Sequence, residues 1–129
     1  MNDMMRDDIR AGNIDAYGDY TVEHWFSAGA DADPFAETYA DQGAGRSLTI
    51  MSFGLAGETG EVLEKIKKIF RDGTFEPEAL KKELGDVGFY WARLCRYFGW
   101  DPSEVIGTNV DKLDSRRSRG MMRGSGDNR

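Results

Sequence analysis

The segment Arg71–Glu76 (RDGTFE), followed at once by Pro77, stands between two long stretches of helical periodicity, and it leaves the chain few ways to fold. Proline suits the first turn of a helix, where its missing N–H has no partner to lose, and glycine suits the end of the helix before it. One helix is therefore expected to end near Phe70 and the next to begin near Pro77. Before the break, Leu48, Met51, Leu55, Val62, Ile66 and Ile69 recur at helical spacing; after it, Leu80, Leu84, Val87, Trp91, Leu94 and Phe98 do the same. Two amphipathic helices joined by a short turn fold back on each other. The expected class is all-α: an antiparallel helical hairpin plus flanking helices, forming a four-helix-type bundle.

Each arm of that hairpin carries an acid-x-x-acid pair, Glu58 with Glu61 and Glu83 with Asp86. Residues three apart on a helix lie on one face about 5–6 Å apart, so each pair forms a ledge of two carboxylates. At about 1.5 Å per residue, Glu61 lies roughly 13 Å before the turn and Asp86 roughly 13 Å after it. The hairpin thus brings the two ledges to nearly the same height. Four carboxylates held together repel unless they are protonated or meet a cation, and an all-oxygen set suits Mg²⁺, with Mn²⁺ as an alternative. The single histidine, His24, lies outside the pairs, which excludes the Glu-x-x-His arrangement of di-iron bundles.

Acids interleaved with Lys65, Lys67, Lys68, Lys81 and Lys82 would also make an ordinary solvated helix face. The apolar pattern weighs against that reading. At 100° per residue, Glu83 and Asp86 flank the second stripe, Glu58 flanks the first, and Glu61 lies further round. The acids sit at the edge of a core, where clefts form.

The stretch from about Gly54 to Gly120 resembles the MazG-like nucleoside triphosphate pyrophosphohydrolases of the all-α NTP pyrophosphatase superfamily, through GLAGETGEVLEKIKKIFRDG, KKELGDVGFYWARL and NVDKLDSRR. The resemblance is weak before Arg46. It implies a Mg²⁺-dependent enzyme that cleaves NTP or dNTP between the α- and β-phosphates to the monophosphate and pyrophosphate. It also implies that Glu58, Glu61, Glu83 and Asp86 are the metal ligands, with Glu58 or Glu61 doubling as general base. Asn109, Lys112 and Arg116 share one face of a last helix, and the family's similar Asn and Lys make them candidate triphosphate ligands, with Lys68 and Arg71 as weaker ones. Lys68 and Arg71 also suit a helix C-terminus, which attracts cations in any case. Aromatic residues from the N-terminal region of related enzymes often hold the base, which points to His24 and Trp25; an aromatic staple over the bundle is the plainer role. A phosphoribosyl-ATP pyrophosphatase of the same superfamily, and a non-catalytic helical module that binds metal or nucleotide, are the alternative functions.

That last helix is expected to begin with Asp101 as N-cap, Pro102 at its first position and Glu104 completing a capping box. Upstream, Tyr17–Ser27 reads as a short helix with an aromatic face, Ala28–Pro34 as a loop and Phe35–Asp41 as a helical turn; Ser47, after the glycine-rich GAGR, is the expected cap of the hairpin's first arm. The chain then divides into an N-terminal segment 1–46, a catalytic core 47–114 and a flexible basic tail 115–129.

At 129 residues the chain makes one domain, small for an enzyme that must enclose a nucleotide. A homodimer or homotetramer is expected to complete the bundle. Net charge is −6, yet from Ser115 onward five arginines face one acid. Glycine, serine and arginine there read as a solubilising tail, and no basic-aromatic stripe runs through the folded part, so nucleic acid is an unpromising partner. Cys95, alone, is expected to be a small buried hydrophobe. No apolar run could span a bilayer and the first ten residues are too polar for a secretory signal, so the expected location is cytoplasmic.

Overall fold

The computed structural model describes residues 3–25 and 42–125. Among them are five α-helices and no strand: α1 (Asp3–Arg10), α2 (Ile14–Glu23), α3 (Gln42–Asp72), α4 (Pro77–Tyr97) and α5 (Pro102–Ser118). The loop expected at Ala28–Pro34 and the helical turn expected at Phe35–Asp41 lie outside the described residues.

Helices α3 and α4 are the expected hairpin. Gly73, at φ +68, takes the left-handed conformation that ends α3 and donates its N–H to the Ile69 carbonyl at 3.1 Å; Pro77 opens α4. The first arm is longer than the sequence indicates. Its 31 residues, about 46 Å, start at Gln42, and the helix passes through the GAGR glycines instead of starting after them. Ser47 is not its cap: it is fully buried, and its hydroxyl accepts the Trp25 indole N–H at 3.3 Å. Tertiary contact on this turn outweighs the cost of about 1 kcal/mol per interior glycine.

Helix α2 packs across α4, carries α1 on one side and meets α5 on the other; α5 also touches α4. Asn13 caps α2 by accepting from the N–H groups of Asp15 and Ala16 at 3.2 and 3.1 Å. Trp25, just past the end of α2, stacks on Phe89, meets Tyr90 edge-on and lies under the Arg93 guanidinium, 5.3 Å from its ring centre. The aromatic staple is therefore present, and it buries a charged residue, since Arg93 is only 1% exposed.

The close of α4 is held by a second glycine. Gly99, at φ +75, lets its own N–H reach the Arg96 carbonyl and that of Trp100 reach the Cys95 carbonyl at 2.9 Å. Arg96 then ties three elements: it donates to the Asp15 carbonyl at 3.0 Å, lies 2.9 Å from an Asp19 carboxylate oxygen, and pairs with Asp101. Asp101 does stand at the N-cap of α5 with Pro102 after it, but its side chain caps nothing. Asp15 does that work from 88 residues away, accepting from the Ser103 N–H at 2.8 Å and the Ser103 hydroxyl at 2.6 Å. Helix α5 runs on to Ser118, into the segment read as tail, and buries Arg116 there.

Few apolar side chains are buried: Met51, Ala92, Cys95, Tyr97 and Pro102 among the described residues. Met51 contributes about 2 kcal/mol by its burial. The apolar stripe of α4 is only half-covered, with Leu84 54% exposed. On α3, Leu63, Ile66 and Phe70 make an outward apolar row, and Phe70 is 86% exposed. No helix among the described residues is long and apolar enough to cross a membrane.

Candidate metal centre

The hairpin brings Glu58 of α3 together with Glu83 and Asp86 of α4. One carboxylate oxygen from each lies within 4.8 Å of the others, with Glu58 and Glu83 half-buried and Asp86 exposed. Burial raises the Glu58 carboxyl above its ordinary range, and the charges of Asp86, Glu83 and Glu61 raise it further. Negative charge is thus concentrated around Glu58. Lys65, also on α3, places its Nζ 3.8 Å from Glu83 and offsets part of it. Three hard oxygen donors converging with excess negative charge fit a divalent cation of the Mg²⁺ kind.

Glu61 stands apart from this trio. It is exposed, one helical turn beyond Glu58 and further round α3, as the helical angle requires, yet close enough for its charge to act on Glu58. Lys68 is half-buried and lies 4.0 Å from Glu64. Asn109, Lys112 and Arg116 ride on α5, which packs on α2 and α4 and, among the described residues, makes no helix contact with α3; Asn109 is exposed, Lys112 half-buried and Arg116 buried. Trp25 belongs to the aromatic staple, and His24 stacks on Tyr20 with ring centres 4.0 Å apart.

Three residues that the sequence did not single out border the acids. Burial raises the Tyr90 phenol, and Glu58 and Asp86 push it further; the Tyr17 phenol is raised by burial, by Tyr20 and by Asp86. Gly54 lets Tyr90 in: a Cβ there would fall on the Tyr90 ring, far inside contact distance. Spacing held the clue, because Gly54 precedes Glu58 by one turn and Tyr90 follows Asp86 by one turn, so each shares a face with a ligand. Tyr17 gave no such clue, since its approach to Asp86 is set by how α2 crosses α4.

Behind these residues is a cleft of about 440 Å³ between the α1–α2 pair and α4, into which Asp86 faces along with Arg6, Arg10, Tyr17, Tyr20 and Phe89. The arrangement can hold a cation against one wall of a pocket large enough for a small organic ligand.

A relative from Mycobacterium phage L5, whose name, gene 37 protein, states no activity, is 45% identical over 87 residues, covering 64% of this chain and 76% of that one. No solved structure matches. The family model of the MazG nucleotide pyrophosphohydrolase domain matches residues 46–121, a stretch that contains the acidic trio, Glu61, Lys65, Gly54 and Tyr90. By that match, across more than half of its length, the chain belongs to the MazG nucleotide pyrophosphohydrolase family.

Proposed function

We propose that the chain is a Mg²⁺-dependent nucleoside triphosphate pyrophosphohydrolase that takes NTP or dNTP to the monophosphate and pyrophosphate. The convergence of Glu58, Glu83 and Asp86 within 4.8 Å is the observation that carries it, because a structural helix pair gains nothing from gathering like charges at its seam. When bound there, a divalent cation offsets phosphate charge and lowers the pKa of a coordinated water. The protein's own part is to hold the three oxygens on two rigid helices and to keep a base nearby. Glu61, outside the trio and one turn from Glu58, is the better placed to accept the proton released when water adds and the α–β phosphoanhydride bond breaks.

The half-covered stripe of α4 and the outward row of Leu63, Ile66 and Phe70 support a homodimer or homotetramer, since an apolar surface of this kind is seldom left in water. Leu63→Asp with Phe70→Asp should shift the molecular mass by light scattering to that of the 14.5 kDa monomer; an unchanged mass would remove this face from the interface. A role in nucleotide metabolism places the working protein in the cytoplasm, where those pools are.

The deciding assay is pyrophosphate release from canonical and modified NTPs and dNTPs and from phosphoribosyl-ATP, with Mg²⁺, with Mn²⁺ and with chelator. Metal-dependent release of monophosphate and pyrophosphate in equal amounts is expected from an NTP or dNTP. Release from phosphoribosyl-ATP alone would move the assignment to that substrate, and silence across the panel would leave a binding module.

A further inference from the structure

We propose that the cleft between α1–α2 and α4 is the substrate-binding half of the acidic centre, with Arg6 and Arg10 pairing with the oxygens of the triphosphate beside an aromatic wall of Tyr17, Tyr20 and Phe89. This rests on the hydrolase reading above and goes beyond it, because α1 and α2 precede the stretch matched to the family, residues 46–121.

Four observations lead there. The cleft, about 440 Å³, is within the range of about 300–1,000 Å³ typical of small-molecule sites. Asp86 belongs both to its lining and to the acidic trio, so the two are continuous. Arg6 and Arg10 are one helical turn apart on α1, hence on one face, and both line the same cleft. Neither has an ion pair among the described residues, although Asp3 and Asp7 stand three positions ahead of them on the same helix.

Two guanidiniums and an aspartate thus border one cavity without closing on each other. A ligand that fits between them must present positive charge to the acid side and negative charge to the basic side, which a cation–triphosphate complex does. Arginine suits phosphate through its planar fork of donors, which can engage two oxygens at once. Tyr17 and Tyr20 lie near-parallel, 13° apart with ring centres separated by 6.0 Å, and Tyr20 continues onto His24. With Phe89 opposite on α4, they give the nucleoside a wall of flat apolar surface. The phosphate-binding cations would then come from the N-terminal helix and not from α5.

The test is calorimetric titration of the full chain, with Mg²⁺, using α,β-methylene analogues of the NTPs and dNTPs and, separately, inorganic tripolyphosphate. The proteins compared are wild type, Arg6→Gln with Arg10→Gln, and Arg6→Lys with Arg10→Lys, each with its melting temperature. Both arginines are exposed, so melting should not change. The glutamine pair should weaken both ligands by about 10- to 100-fold, the scale of a lost charged hydrogen bond, and the lysine pair should recover part of that. In turnover the loss should fall on KM more than on kcat. Equal tripolyphosphate affinity in wild type and the glutamine pair would overturn the inference while leaving the hydrolase reading intact. Weakening of the nucleotide analogues alone would overturn the phosphate assignment. A wild type that binds neither ligand and releases no pyrophosphate would overturn both.

Discussion

In the first half of α4, Glu83 and Asp86 face Glu58 with Lys65 the one cation whose ion pair reaches them among the described residues; in its last turn, Arg96 is met by a carbonyl and by two aspartates from two other elements. One region accumulates like charge, and the other cancels it. The two lie on the same helix, some ten residues apart. Helical geometry alone therefore does not account for the difference. The Arg96 junction joins α2, α4 and α5, and its charge is paired within the chain. The acidic centre has no comparable set of partners among the described residues. On the proposed reading, unrelieved charge marks the part of the molecule that acts, and relieved charge marks the part that holds it in shape.

The contrast breaks most visibly by neutralising the acids. Glu83→Gln or Asp86→Asn should reduce pyrophosphate release by more than about 100-fold, since even outer partners of metal sites cost about 10- to 100-fold when lost. Thermal melting of the same variants should stay level or rise, because repulsion has been removed. An acid whose loss lowered melting and spared turnover would put architecture where we place chemistry.

Arg96→Met should show the reverse pattern. Loss of a largely enclosed cation with three oxygen partners should cost about 2–4 kcal/mol in urea unfolding, with activity per folded molecule retained. Gly54→Ala tests the border between the two regimes. Its methyl would strike the Tyr90 ring beside Glu58 and should cost about 1–3 kcal/mol of overpacking, and turnover should fall with it because the helices that hold the acids must move apart.

The smallest effect is at Asp15. Its hydrogen bonds from Ser103, side chain first and then backbone, hold the carboxyl below the usual range, with a further contribution from Arg96. A depressed folded-state pKa means that this contribution is complete above the unfolded value of about 3.9 and is lost as pH falls through the folded one. Asp15→Asn should therefore lie about 1 kcal/mol below wild type in chemical denaturation at pH 6, and the gap should narrow as pH falls below the unfolded value. A gap with no pH dependence in that acid range would show that the carboxylate charge is not what caps α5.

Local chemistry was legible in the sequence, and contact across the chain was not. Gly73 and Pro77 act on their own turns, so the hairpin and its acidic ledges could be read directly. Glu61 could be placed further round α3 by angle alone. Ser47 looked like a cap because its neighbours are glycines, but what decides its role is Trp25 packing from 22 residues away. Asp101 has the residue type and position of a cap, yet Arg96 occupies its carboxylate and Asp15 does its work. The stripe on α4 is legible as apolar from its spacing, but how much of it is covered is not, and Leu84 stays 54% exposed. The basic residues of the cleft escaped notice because nothing in an eight-residue helix marks which cavity its arginines border.

The bond between Asp15 and Ser103 bears on where this protein can be cut. The stretch shared with the family runs from 46 to 121, but a fragment with those ends would leave the first turn of α5 without its acceptor and take from Arg96 two of its three oxygen partners. It would also uncover Pro102, which now packs so closely on Gly18 that a methyl there would come within 2.9 Å. What is inherited as a recognisable unit is thus smaller than what is stable as one. The helices before residue 26 are part of the folded body, and an insertion or fusion is better tolerated past Ser118 than ahead of the shared stretch.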